Sequence, residues 1–184
     1  GGEANAIAIR IARASAGKSN VAFCGYHGWH DWYLAANLGE SDGLDGQLLP
    51  GLEPSGVPKN LKGTIFPFEY NDFDGLKEIV DRHDVGVIKM EVVRNFGPED
   101  DFLEKVRALA TDRGAVLIFD ECTSGFRETF GGLHKRHGVE PDIAMFGKAL
   151  GNGYAVTATI GRREVMEAAQ SSFISSTFWT ERIG

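Results

Sequence analysis

Four kinds of side chain in this sequence could do chemistry together: an amine, a set of carboxylates, an aromatic–histidine pair and an amide. The amine is Lys148, in Phe146-Gly147-Lys148-Ala149-Leu150-Gly151-Asn152-Gly153. A Gly-Lys in a glycine-rich turn invites a P-loop reading. It fails, because a P-loop needs a glycine five residues before the Gly-Lys and Ser or Thr after the lysine; Asp142 and Ala149 stand there. A dinucleotide-binding reading of Gly151-x-Gly153 fails at its third glycine, where Val156 stands. Two readings remain. Lys148 is a surface lysine in a turn, or it is held among small residues where a strand ends. In the second case desolvation lowers its pKa and leaves a free amine able to attack a carbonyl.

The carboxylate of most interest is Asp120, which closes the most apolar run of the chain, Ala115–Phe119. It can cap whatever follows, or it can pair with a cation, because an unpaired buried charge is costly. The protonated ring nitrogen of a heteroaromatic cofactor is one such cation. Tyr26 and His27, in Tyr26-His27-Gly28-Trp29-His30, offer a flat aromatic that can stack on such a ring. His27 with His30 and His134 with His137 read as ordinary surface or core histidines, so no metal is expected. Gly1-Gly2-Glu3 opens a helical pattern, and free N–H groups at a helix start can seat a phosphate.

These residues need elements to hold them. Ala4, Ile7, Ala8, Ile11 and Ala12 repeat at helical spacing and predict a helix over residues 3–16, stopped at Gly17. Val21–Phe23 and Thr64–Phe68 read as strands, and a helix follows the Asn71/Asp72 cap through Phe73, Leu76, Ile79 and Val80. Val85–Met90 is a strand; Phe102, Leu103, Val106, Leu109 and Ala110 mark a helix stopped at Gly114. The continuous apolar run Ala115–Phe119 suits a central parallel strand buried on both faces. Ile143–Phe146 and Thr157–Ile160 are further strands, and Glu164–Gln170 is a short helix. Residues 34–63 show little periodicity, as in a functional or locally disordered segment. Strands alternating with helices predict a three-layer α/β fold around a mostly parallel sheet. Ligands of such folds sit outside the carboxyl ends of the strands. Tyr26, His27, Glu91, Asn95, Asp120, Glu121 and Lys148 all follow apolar runs, and all are expected at that one edge.

Composition narrows the alternatives. The chain has 184 residues, 42% hydrophobic and 24% charged, which is ordinary for a folded domain and unlike a disordered one. A net charge of −7 lacks the basic footprint that nucleic acids or anionic membranes demand. No 18-residue apolar run and no signal-peptide pattern is visible. Two cysteines, Cys24 and Cys122, are too few for a disulfide scaffold, so a reducing, cytoplasmic setting is expected. The chain opens at Gly1 rather than Met and reads as one incomplete domain over residues 1–184.

Taken together, the motifs resemble those of class III pyridoxal-phosphate-dependent aminotransferases of fold type I, and within them glutamate-1-semialdehyde 2,1-aminomutase and its relatives. Five segments, spread over essentially the whole chain, carry the resemblance: Gly1-Gly2-Glu3-Ala4-Asn5, Tyr26-His27-Gly28, Asp120-Glu121 with Gly125-Phe126-Arg127, Pro141-Asp142 with Gly147–Gly153, and Gly161-Arg162-Arg163-Glu164. The 28-residue step from Asp120 to Lys148 also fits. The resemblance implies pyridoxal 5'-phosphate as cofactor, a small amine donor or acceptor as substrate, and the large, cofactor-binding domain of a homodimer with shared active sites. It implies that Lys148 holds the cofactor as a Schiff base, Asp120 pairs with the ring nitrogen, Tyr26 covers one face of the ring, and His27 beside it also contacts the cofactor. Asn95 would sit near the ring hydroxyl, and Gly1 and Gly2 would offer N–H groups to the phosphate. Thr177 would reach the phosphate of a neighbouring subunit, with Thr180 as its competitor. The chain departs from the family pattern at Val92, where a proline is usual, and at Phe178–Arg182. These departures bear on aminomutase against a class III aminotransferase acting on another amine or an amino-sugar precursor, more than on the cofactor. A non-catalytic domain that keeps the fold is the reading from a different class; it would have no need of Lys148, Asp120 and Tyr26 together.

Overall fold

A computed structural model describes residues 1–176. Helix α1 (Gly2–Ala16) leads into strand β1 (Asn20–Cys24), followed by the short helix α2 (Asp31–Leu34) and strand β2 (Ile65–Pro67). Helix α3 (Phe73–Arg82), strand β3 (Val85–Glu91), helix α4 (Phe102–Arg113) and strand β4 (Val116–Asp120) alternate next. A single turn, α5 (His134–His137), precedes β5 (Ile143–Phe146), β6 (Ala158–Gly161) and α6 (Arg163–Met166). The sheet order is β2-β1-β3-β4-β5-β6. All neighbours are parallel except β6, which runs antiparallel to β5 at the edge.

Local chemistry sets the element ends. Gly17, in the left-handed region at φ 66°, closes α1 through its N–H to the Arg13 carbonyl. Gly114, at φ 62°, does the same for α4. The Asp72 side chain accepts from the Gly75 N–H at 2.9 Å and caps α3. The last expected helix is shorter than its sequence pattern: α6 ends at Met166 and continues as a tighter 3-10 turn, Glu167–Ser171.

Strand alternation builds the two outer layers. Phe23, Val87, Ile118 and Met145 pack toward α1, against Ala8, Ile11 and Ala12. Cys24, Ile88, Leu117 and Phe119 pack the other way, toward Leu76 and Val80 of α3 and Leu103 and Val106 of α4. The sheet is thus covered on both faces, as expected for a three-layer α/β fold.

Residues 34–63 are ordered by burial rather than by regular structure. Leu44 is fully buried in the α1-side core. Asn37 Oδ1 accepts from the Leu44 N–H at 2.9 Å, and its Nδ2 donates to the Leu52 carbonyl at 2.7 Å. Truncating Leu44 to alanine is expected to cost about 2–5 kcal/mol of stability. Denaturant unfolding of the full-length protein checks this; a change within about 0.5 kcal/mol, the range of ordinary surface substitutions, would mean the segment is not anchored there.

Candidate active site

The register aligns the strand ends. Glu91 of β3 lies beside Asp120 of β4, and Asp120 beside Met145 of β5. The chain therefore leaves β1, β3, β4 and β5 at one edge, carrying Gly25–His27, Glu91, Asp120 and Gly147–Lys148 with it. Strand period puts Lys89, Glu91 and Asp120 on the same α1-side face as Phe23 and Ile118.

Asp120 is the buried centre of this edge. Its Oδ2 lies 2.9 Å from His27 Nδ1 and 3.8 Å from Lys89 Nζ, and its Oδ1 accepts from the Cys122 N–H at 3.0 Å. Burial alone would raise the Asp120 pKa. The Lys89 charge and the His27 hydrogen bond outweigh it and hold the carboxyl far below its usual range. His27 is fully buried behind Asp120, with its ring stacked at 6.2 Å on Trp32 and edge-on at 6.1 Å to Phe23. Burial and then the Lys89 charge pull its pKa down to about 4. With no exposed surface, His27 holds Asp120 rather than facing out from the sheet edge. The expectation that His27 itself contacts a cofactor gives way to this supporting position.

Lys148 lies just beyond β5 with a positive φ of 45°, a conformation a non-glycine residue adopts only when its surroundings impose it. Its Nζ donates to Thr123 Oγ1 at 2.7 Å. Thr123 follows Cys122, whose N–H holds Asp120, so one tight turn ties the amine to the acid. Contrary to the expectation of a desolvated amine, Lys148 is exposed. Tyr26 is 42% exposed. Its N–H donates to Glu91 Oε2 at 3.2 Å, and its ring meets Tyr33 edge-on at 6.1 Å. Asn95 is exposed and borders a cavity of about 240 Å³ with Gln47, Glu69, Glu91 and Arg94. Burial raises the Glu91 pKa against the opposing pull of the Tyr26 N–H and Arg94.

The start of α1 is brought to this edge by two glycines. A Cβ on Gly28, which has a φ of 91°, would lie 2.8 Å from the Gly2 Cα. Only glycine at position 28 lets the Tyr26–Gly28 turn touch the helix start. Gly28→Ala is expected to push α1 away and weaken cofactor binding by about tenfold, roughly 1.4 kcal/mol. Titration of the cofactor into full-length protein measures it, and unchanged affinity would remove Gly1 and Gly2 from the site.

Glu121 does not join the edge. Its buried carboxylate turns to the other face, where Oε1 accepts from the His134 N–H at 2.9 Å and meets His134 Nδ1 at 2.8 Å; its Oε2 accepts from the Ser124 hydroxyl. Adjacent residues of a strand end point oppositely, so Asp120 and Glu121 cannot share a site. Thr177 and Thr180 lie outside the described residues. Lys89, Thr123 and Gln47 belong to the site's frame and were not expected from sequence. Lys89 had a visible signal, a lone lysine inside an apolar strand. Gln47, which accepts from the Gly25 N–H at 2.7 Å, had none.

Comparison with known proteins bears on this arrangement. The sequence model of the family described as aminotransferase class-III matches residues 95–183. The chain is 39% identical, over its whole length and 42% of the relative's, to a 3-aminobutyryl-CoA aminotransferase of Cloacimonas acidaminovorans. It is 38% identical, over 91% of its length and 40% of the relative's, to a glutamate-1-semialdehyde 2,1-aminomutase of Nitratidesulfovibrio vulgaris. The chain thus spans about two fifths of these relatives. Among solved structures, an omega-transaminase of Sphaerobacter thermophilus is similar at a TM-score of 0.76 and 29% identity, over 90% of this chain and 40% of that one. The FumI protein of Sphingopyxis sp., solved in its PLP internal aldimine form, shares the fold at a TM-score of 0.81 and 23% identity, over 97% of this chain and 42% of that one. The chain belongs to the class III aminotransferase family, whose members depend on pyridoxal phosphate.

Proposed function

We propose that the full-length protein carries out pyridoxal-phosphate-dependent amino transfer of the glutamate-1-semialdehyde 2,1-aminomutase kind. In this reading residues 1–184 belong to its cofactor-binding large domain. The observation that carries it is a buried carboxylate and an exposed lysine on one sheet edge, joined through the Cys122–Thr123 turn. The described residues suit the cofactor: a carboxyl held below its usual range for the ring nitrogen, an amine for its carbonyl carbon, and a half-exposed aromatic beyond β1 on the same edge. When bound, pyridoxal phosphate supplies an electron sink for the substrate carbon.

The chain's own residues divide the remaining work. Asp120 would hold the protonated ring nitrogen through a charge-assisted hydrogen bond. Lys148 Nζ would anchor the cofactor covalently and, when free, would move a proton to or from the substrate carbon. Tyr26 would cover one face of the ring. The N–H groups of Gly1 and Gly2 would receive the phosphate at the positive end of α1, and Asn95 would serve the ring hydroxyl. Thr177 is assigned to the phosphate of a neighbouring subunit, which makes the working form a homodimer; a cytoplasmic setting accords with two free, buried cysteines.

A second reading, transfer between another amine and a separate acceptor, is favoured by the match, along all of this chain and 42% of the relative, to an aminotransferase named for 3-aminobutyryl-CoA. The two are separated by supplying glutamate semialdehyde to the purified full-length protein. Turnover without any second acceptor supports the aminomutase. Turnover only when a keto or aldehyde acceptor is added supports the aminotransferase, and no visible cofactor absorbance after reconstitution defeats both.

A further inference from the structure

Lys89 has no part in the chemistry above, yet it is the most costly residue of the sheet. It sits in β3, between Phe23 of β1 and Ile118 of β4, and is fully buried. An ammonium there carries a large desolvation penalty unless an opposite charge faces it. Among the described residues its ion-pair partner is Asp120, with Oδ2 3.8 Å away. The other groups around Nζ are Met145 Sδ of β5 at 3.1 Å, Cys122 beyond β4, Glu91 on its own strand and His27, which shares Asp120 Oδ2.

His27 is built to hold a different number of protons from the one Lys89 leaves it. Nδ1 faces the Asp120 carboxylate at 2.9 Å and Nε2 faces the Cys24 carbonyl oxygen at 3.0 Å. Both are acceptors, but a neutral imidazole has only one N–H. One ring nitrogen therefore confronts an acceptor without a proton between them. Two arrangements neutralise Asp120 with a single proton: an ammonium on Lys89 beside a neutral His27, or an imidazolium on His27 beside a neutral residue 89. The second satisfies both contacts of His27 but presses a cation directly onto Oδ2. The first keeps the cation 3.8 Å away and leaves more of the carboxylate's charge to the sheet edge.

We propose that Lys89 is a positioning residue of this site: its ammonium keeps the balancing proton off His27 and Asp120, so that a fully ionised carboxylate stands at the sheet edge. The inference deepens the reading above, since it takes a cofactor ring nitrogen as the group Asp120 serves. Its test does not depend on that reading.

The test is a pH titration of histidine-labelled, cofactor-free full-length protein by NMR. His27 of the unaltered protein is expected to titrate near pH 4. In Lys89→Met, which keeps an unbranched chain against Met145, the His27 midpoint is expected to rise by about two pH units or more, the scale of a lost close charge. Lys89→Arg is expected to restore the low midpoint. A lysine that merely fills space would change the melting temperature of Lys89→Met and leave the His27 midpoint in place, and that result would overturn the proposal. If Lys89→Met does not fold, the Nζ resonance of Lys89 in the unaltered protein decides: a charged amine at pH 7 supports the assignment and a neutral one overturns it. Failure to bind pyridoxal phosphate would defeat the proposed function while leaving the outcome for Lys89 standing.

Discussion

Lys148→Ala in the full-length protein is expected to lower amino transfer by on the order of 10³-fold or more, because it removes both the covalent anchor and the proton carrier. The expectation has a chemical check beyond rate. Borohydride should fix the cofactor to the unaltered protein, and peptide mass mapping should find it on the segment containing Lys148. The Ala variant should bind the cofactor reversibly and carry no fixed adduct. An adduct on another lysine, or unchanged turnover, would assign the amine elsewhere. The exposure of Lys148 does not argue against this role. Its hydrogen bond to Thr123 already directs Nζ to the turn that holds Asp120, and cover supplied by the cofactor and the rest of the protein would complete its desolvation.

The second large effect belongs to Asp120. Asp120→Asn is expected to reduce turnover by on the order of 10²–10³-fold, the usual consequence of losing one preorganised electrostatic partner. It also leaves Lys89 buried against a neutral amide, with an expected loss of about 3 kcal/mol in stability. The pH dependence has a definite sign. The Asp120 pKa is lower folded than unfolded, so its stabilisation is fully present above the ordinary carboxylate range and is lost as pH falls through and below that range. Acid unfolding of Asp120→Asn should accordingly be shallower than that of the unaltered protein. Equal acid profiles, or undiminished turnover, would take Asp120 out of its assigned place.

How much of this could be read from residues alone differs between the elements and the site. The strands were legible because buried strands of a parallel sheet are written as continuous apolar runs, and Ile143–Phe146 matches β5 at both ends. Helix ends were legible where glycine or aspartate chemistry fixed them, as at Gly17, Gly114 and Asp72. The edge was legible because polar residues that follow such runs must emerge together. What stayed hidden depended on side-chain direction and on distant contacts. Asp120 and Glu121 look equivalent in sequence, yet the pleat sends one to His27 and Lys89 and the other to His134. Gln47 reaches Gly25 across 22 residues from a segment with no periodicity. Lys89 was visible as a charge inside an apolar run, but its worth depends on Asp120, which lies on another strand.

The opposed directions of Asp120 and Glu121 have a bearing on how the protein matures. Sliding β4 by a single residue against its neighbours would swing an acid of different length to the place of Asp120 and pull the clasp off His134, while sending every apolar side chain of the strand to the opposite layer. A chain that has paired its central strands incorrectly therefore has no partly competent form in which to linger. Quality control at that strand and readiness for chemistry are settled by the same act of pairing.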